Sequence, residues 1–104
     1  MTTGRIQVLL FAAEPDTPAA VHEAYHTVSR RLAGTPGLLG NTLLEKADGS
    51  GGFVVMSFWE NLAAFQHWAA GPEHPDITAP LRPYHDRNMP ASFGVYRIAA
   101  EYPG

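Results

Sequence analysis

Between Phe53 and Trp59 the chain reads Phe-Val-Val-Met-Ser-Phe-Trp, and this run is mostly apolar on both of its alternating faces. Successive side chains of a strand point to opposite sides, so Phe53, Val55, Ser57 and Trp59 share one face and Val54, Met56 and Phe58 the other. An antiparallel sheet with one wet face alternates apolar with polar residues. Here both faces need cover. The flanking sequence supplies two amphipathic helices, enough for one face only. A second copy of the chain is the simplest cover for the other, so the pattern predicts a homodimer packed sheet against sheet.

The remaining elements follow from period and punctuation. Arg5 to Ala12 reads as a first strand, with Ile6, Val8 and Leu10 on one face and Gln7, Leu9 and Phe11 on the other. Glu14-Pro15-Asp16 breaks it. Thr17-Pro18 then signals a helix start, a hydroxyl cap followed by proline in the first turn. Val21, Ala24, Tyr25, Val28 and Leu32 form one apolar stripe, and Gly34 is placed to end the helix. Leu38 to Lys46 reads as strand two, and Asp48 to Gly52 as a hairpin loop into strand three. Asn61 can cap a second helix with Leu62, Phe65, Trp68 and Ala69 inward. From Glu73 to Asn88 the flanking and internal prolines (Pro72, Pro75, Pro80, Pro83, Pro90) predict short helical turns forming a lid. Ser92 to Tyr102 reads as strand four. The order is β-α-β-β-α-β, and residues 1–104 read as a single α+β domain.

Composition removes several classes of function. A formal charge of -3, with seven scattered basic residues, argues against nucleic-acid binding. With no cysteine, disulfides, thiolate catalysis and cysteine-ligated metals are excluded. No apolar run approaches the roughly 18 residues of a membrane helix, and Met1 to Arg5 does not read as a signal peptide. A cytoplasmic location is the expectation.

His22-Glu23-Ala24-Tyr25-His26 satisfies the H-E-x-x-H pattern of zinc hydrolases. At about 100° per residue, however, His22, Glu23 and His26 all turn away from the apolar stripe, and no third ligand stands at a convincing spacing. The reading is a solvated helix face, with no metal site. A second grouping is more informative. Trp59, Phe65, His67, Trp68, His74, Tyr84 and His85 gather around the second helix and the lid, with Arg82 and Asp86 nearby. Core packing would account for the large aromatics. A pocket between sheet and helices would use the same residues, with apolar walls, a few converging polar groups and imidazoles that titrate near neutral pH.

The element order, Thr35-Pro36-Gly37-Leu38-Leu39-Gly40 leading into strand two, and Ser57-Phe58-Trp59-Glu60-Asn61-Leu62-Ala63-Ala64-Phe65 leaving strand three together resemble the antibiotic biosynthesis monooxygenase domain family. The resemblance spans nearly the whole chain and implies a ferredoxin-like antiparallel sheet assembled as a dimeric α/β-barrel. Its anthrone-oxygenating branch carries an Asn four residues before the strand-end Trp, that Trp, a Tyr six residues after it, and an Arg on the lid. Trp59 and Arg82 match, while Val55 and Phe65 stand at the Asn and Tyr positions. Its haem-degrading branch carries an Asn on strand one, a Trp on the second helix and a later His ligand. Trp68 matches, strand one offers Gln7, and Thr78 stands where the ligand is expected, so that His74 or His85 would substitute.

Resemblance and cluster together imply a small cofactor-independent monooxygenase or tailoring enzyme acting on an aromatic polyketide-like substrate. Trp59, Arg82 and His85 are the expected catalytic residues. Val55, Phe65, His67, Trp68, His74 and Tyr84 are the expected substrate contacts. The alternatives are a polyketide cyclase or isomerase of the same fold, and a non-catalytic dimer binding a hydrophobic ligand or haem.

Overall fold

The computed structural model describes residues 4–14 and 16–104. Residues 1–3 and Pro15, the expected breaker of the first strand, lie outside the described residues. Strands β1 (Ile6–Ala13), β2 (Leu38–Glu45), β3 (Gly52–Trp59) and β4 (Phe93–Arg97) form one antiparallel sheet in the order β2-β3-β1-β4. Helices α1 (Pro18–Leu32) and α2 (Leu62–Ala69) connect the strands, and α3 (His74–Thr78) runs into a 3-10 segment at Ala79–Tyr84. This is the expected α+β, ferredoxin-like arrangement.

The centre of the sheet is an unbroken β1–β3 pairing from Ile6 opposite Trp59 to Ala13 opposite Gly52. It places Ile6, Val8 and Ala12 beside Trp59, Ser57 and Phe53 on one face. That face packs against Val21, Ala24, Val28 and Leu32 of α1 and Phe65 of α2, and all of these apolar residues are buried. Trp59 is 1% exposed. By alternation, the other face carries Leu9, Phe11, Val54, Met56 and Phe58, each half-buried. Leu44 and Tyr96 join it and are 45% and 49% exposed. The two-faced apolarity of β3 is therefore a property of the folded chain.

Local chemistry sets the element ends. Asn61 caps α2, its Oδ1 accepting from the Ala64 amide at 2.8 Å. Thr17 precedes α1, but its hydroxyl makes no capping bond; its carbonyl instead accepts from Ala20 N at 2.9 Å. Proline at the first turn leaves fewer amides for a side chain to satisfy. Strand β4 is shorter than the sequence suggests. Its partner β1 begins at Ile6, and among the described residues the last bond between the two segments runs from Ile98 N to Arg5 O. Tyr102 is accordingly 92% exposed.

Gly37 shows why the turn into β2 has its composition. Its φ is +82°, and a Cβ there would sit 2.4 Å from the Cβ of Ala64 on α2. Its carbonyl accepts from Glu60 N at 2.8 Å, tying the turn to the end of β3. Gly34 also has positive φ, at +83°, but faces open space. Gly37→Ala should therefore lose about 2 kcal/mol or more, from left-handed strain plus overlap, and Gly34→Ala only about 1 kcal/mol. Chemical denaturation of the two variants checks the difference; equal losses would contradict the close approach.

Candidate active site

Where α1, α2 and the lid stand off the sheet they leave a cavity of about 470 Å³. Val8 and Leu10 of β1, Asn41 of β2 and Val55 and Ser57 of β3 form its floor. One wall is Tyr25, Val28, Ser29 and Leu32 of α1; another is Phe65, Trp68 and Ala69 of α2. His74, Thr78, Leu81, Arg82 and His85 close it from the lid, and Phe93 of β4 borders it. Its surface is predominantly apolar, with a few polar groups set into it, as in sites for flat organic ligands.

The cavity divides the expected site residues. Val55, Phe65, Trp68, His74, Arg82 and His85 all line it. Trp59 does not: it is buried behind the α2 wall, against Phe65 and Trp68, and its indole N–H donates to Ser57 Oγ at 2.9 Å. Tyr84 packs against the core beneath the lid. His67 is exposed on the far side of α2, near Arg31 and Glu73, in a separate surface depression.

Two buried polar atoms among the described residues have no protein partner, Trp68 Nε1 and His85 Nδ1. Both residues line the cavity. A buried donor or acceptor without a partner costs free energy that a ligand can recover. The Trp68 ring lies between Trp59, at 5.3 Å, and His74, edge-on at 4.4 Å. His74 is held below the ordinary imidazole pKa, first by burial and second by the positive charge of Arg82. It is therefore neutral near pH 7. Arg82 is anchored to the lid, donating to Pro75 O at 2.9 Å and to Thr78 Oγ1 at 3.2 Å.

Among the polar cavity residues that were not singled out by sequence, three form one hydrogen-bonded group. Asn41 lies opposite Ser57 in the β2–β3 ladder. Its Oδ1 accepts from the hydroxyls of Tyr25 and Ser29, the latter at 3.1 Å. Tyr25 reads as part of the apolar stripe because only its ring is counted; the signal for the group was an asparagine, a poor strand former, inside β2. His22, Glu23 and His26 of the H-E-x-x-H pattern stay apart from this cavity. His22 pairs with Glu45 at 3.1 Å and edges against Phe53, and among the described residues no three His, Asp or Glu side chains converge as a metal site.

Comparisons with known proteins agree with this architecture. The family model described as antibiotic biosynthesis monooxygenase matches residues 5–79. A curated relative, protein SchA from Streptomyces halstedii, is 31% identical over 94 residues, which is 90% of this chain and 25% of the relative. The chain thus spans about a quarter of the length of that relative. Among solved structures, a mutant of SnoaB, a cofactor-independent oxygenase from Streptomyces nogalater, superposes with a TM-score of 0.79 at 19% identity, covering 97% of this chain and 99% of SnoaB. A heme-degrading protein from Mycobacterium tuberculosis gives 0.68 at 19% identity, covering 95% and 99%. Among the described residues no helix is long and apolar enough to cross a membrane.

The depressed His74 pKa makes a stability prediction. In the unfolded chain this imidazole titrates near its ordinary 6.5, and in the folded chain lower. Between those two values the unfolded state binds more protons, so stability falls as pH drops through that window. His74→Gln should flatten this part of the pH–stability curve. An unchanged slope, measured by denaturation at several pH values, would show that His74 does not titrate differently on folding.

Proposed function

Because this chain belongs to the antibiotic biosynthesis monooxygenase family, we propose that it is a cofactor-independent oxygenase of an aromatic, polyketide-like substrate. The observation that carries the reading is the apolar cavity with the unpartnered Trp68 Nε1 and His85 Nδ1 on its walls. The resemblance in fold to SnoaB supports it.

In an anthrone-like substrate a CH2 group lies between phenolic rings. Its C–H is acidic because the resulting anion spreads over the rings and onto the phenol oxygens. His85 takes that proton as general base. The substrate anion is itself the reductant and passes one electron to O2, and the two radicals join in a C–O bond. The peroxide then loses water and leaves a carbonyl, so CH2 and O2 become C=O and H2O. Arg82 supplies positive charge beside the anion, Trp68 a donor and a stacking surface, and Val55 and Phe65 apolar walls that exclude water. His74, kept neutral, leaves the cavity without a second full positive charge. Trp59 acts through Ser57 as a positioning residue.

Oxygen uptake with an anthrone, without added flavin or metal, tests the activity. The expected result is turnover above buffer, reduced roughly 100-fold or more in His85→Gln and about tenfold in Trp68→Phe. A rate equal to buffer contradicts it; product formed without oxygen would instead identify a cyclase or isomerase. The unpartnered His85 nitrogen also suits a haem-holding role. A Soret band on adding haem, lost in His85→Ala, would favour that second reading.

The proposal includes a homodimer in which the outer sheet face, with Met56 and Phe58 at its centre, packs on a second copy. Phe58→Glu should sediment as a monomer at concentrations where the unmodified chain is dimeric. A dimer of unchanged affinity would place the interface elsewhere.

A further inference from the structure

On an otherwise apolar floor of Val8, Leu10 and Val55, the cavity carries two adjacent polar side chains, Asn41 and Ser57. They are cross-strand partners in the β2–β3 ladder, a relation that puts Cβ atoms about 5 Å apart. Each has its acceptor side engaged by the protein. Tyr25 and Ser29, one helical turn apart on α1, both donate to Asn41 Oδ1. A carboxamide oxygen has two lone pairs, so both are taken, and the amide is left to present its NH2 group. Asn41 Nδ2 has no protein partner among the described residues. Ser57 Oγ accepts the Trp59 indole N–H, which leaves its own O–H proton to be donated.

We infer that Asn41 and Ser57 form a donor pair that holds a carbonyl or phenolate oxygen of the substrate against the cavity floor. The inference rests on the aromatic-substrate reading above and adds the chemical group recognised. Donors with engaged acceptor sides select an oxygen that accepts, such as a carbonyl or phenolate, over a group that can only donate, such as an N–H. They stabilise an anionic oxygen more than a neutral one, because hydrogen bonds to charged acceptors are the stronger. Their position is fixed before the substrate arrives, by Tyr25 and Ser29 from α1 and by buried Trp59 from β3. Val55, the neighbour of Ser57 along the same strand face, has no group that could do this.

The test uses a hydroxyanthraquinone whose visible absorption shifts when a phenol ionises, titrated with pH while bound to the chain. The unmodified chain should lower the phenol pKa of the bound dye relative to buffer. Ser57→Ala and Asn41→Leu should each raise it again by about one unit and weaken binding of the anion about tenfold. Asn41→Asp keeps the acceptor for Tyr25 and Ser29 but replaces NH2 by an anionic oxygen, and should weaken anion binding further. A structural role alone would not move the phenol titration of bound dye. Unchanged titration in all variants overturns the donor pair while leaving the aromatic site standing; failure of the unmodified chain to bind the dye overturns both. Should the Asn41 variants not fold, Ser57→Ala, which removes a single oxygen, decides the question.

Discussion

The eight-residue pairing of β1 with β3 is the constraint on which the rest depends. It runs without a slip, and a slip of one residue would turn every side chain of β3 to the opposite face. The register delivers Phe53 and Trp59 to the helix side as buried core, with Val55 and Ser57 between them as cavity floor. It also sends Val54, Met56 and Phe58 to the outer face. Both sets are mostly apolar, so one strand meets helices on one side and, in the proposed dimer, a second sheet on the other. The cavity exists because the helices cover their side incompletely: α1 and α2 pack over the ends of β3, and the lid bridges what is left.

Polar chemistry enters that space at few points, and most are fixed by protein partners. Trp59 spends its N–H on Ser57, Tyr25 and Ser29 spend theirs on Asn41, and Arg82 is held by the lid backbone. The groups left over are therefore oriented before any ligand binds, which spares the cost of ordering them on association. His85 is seated by a backbone bridge to Ala12 and leaves Nδ1 unpartnered. A lid built from proline-limited turns can place such residues over a sheet without a long helix.

Much of the fold was legible because its signals are local or periodic. Alternation located β1 and β3, the apolar stripe located α1, and Asn61 marked the start of α2. The end of β4 was not legible, since a strand stops where its partner stops, and Arg5–Ile6 is far from Ile98 in sequence. Of the site, residue types that advertise chemistry were found: His74, His85, Arg82 and Trp68 reach the cavity. His67 carried the same advertisement but lies on the outer side of its helix. Trp59 was legible as a core aromatic and Tyr84 was expected as a substrate contact; only the packing shows that both stand outside the cavity lining. Tyr25, Ser29 and Asn41 were missed because their meaning lies in a cross-element contact, with each residue ordinary on its own.

The most direct measurement is a crystal structure of the chain grown with a hydroxyanthraquinone. The account predicts the ring system between the sheet floor and the lid, beside Trp68, with one oxygen at about 2.7–3.2 Å from Asn41 Nδ2 or Ser57 Oγ. Rings bound only on the outer sheet face, or an empty cavity at saturating dye, would contradict it.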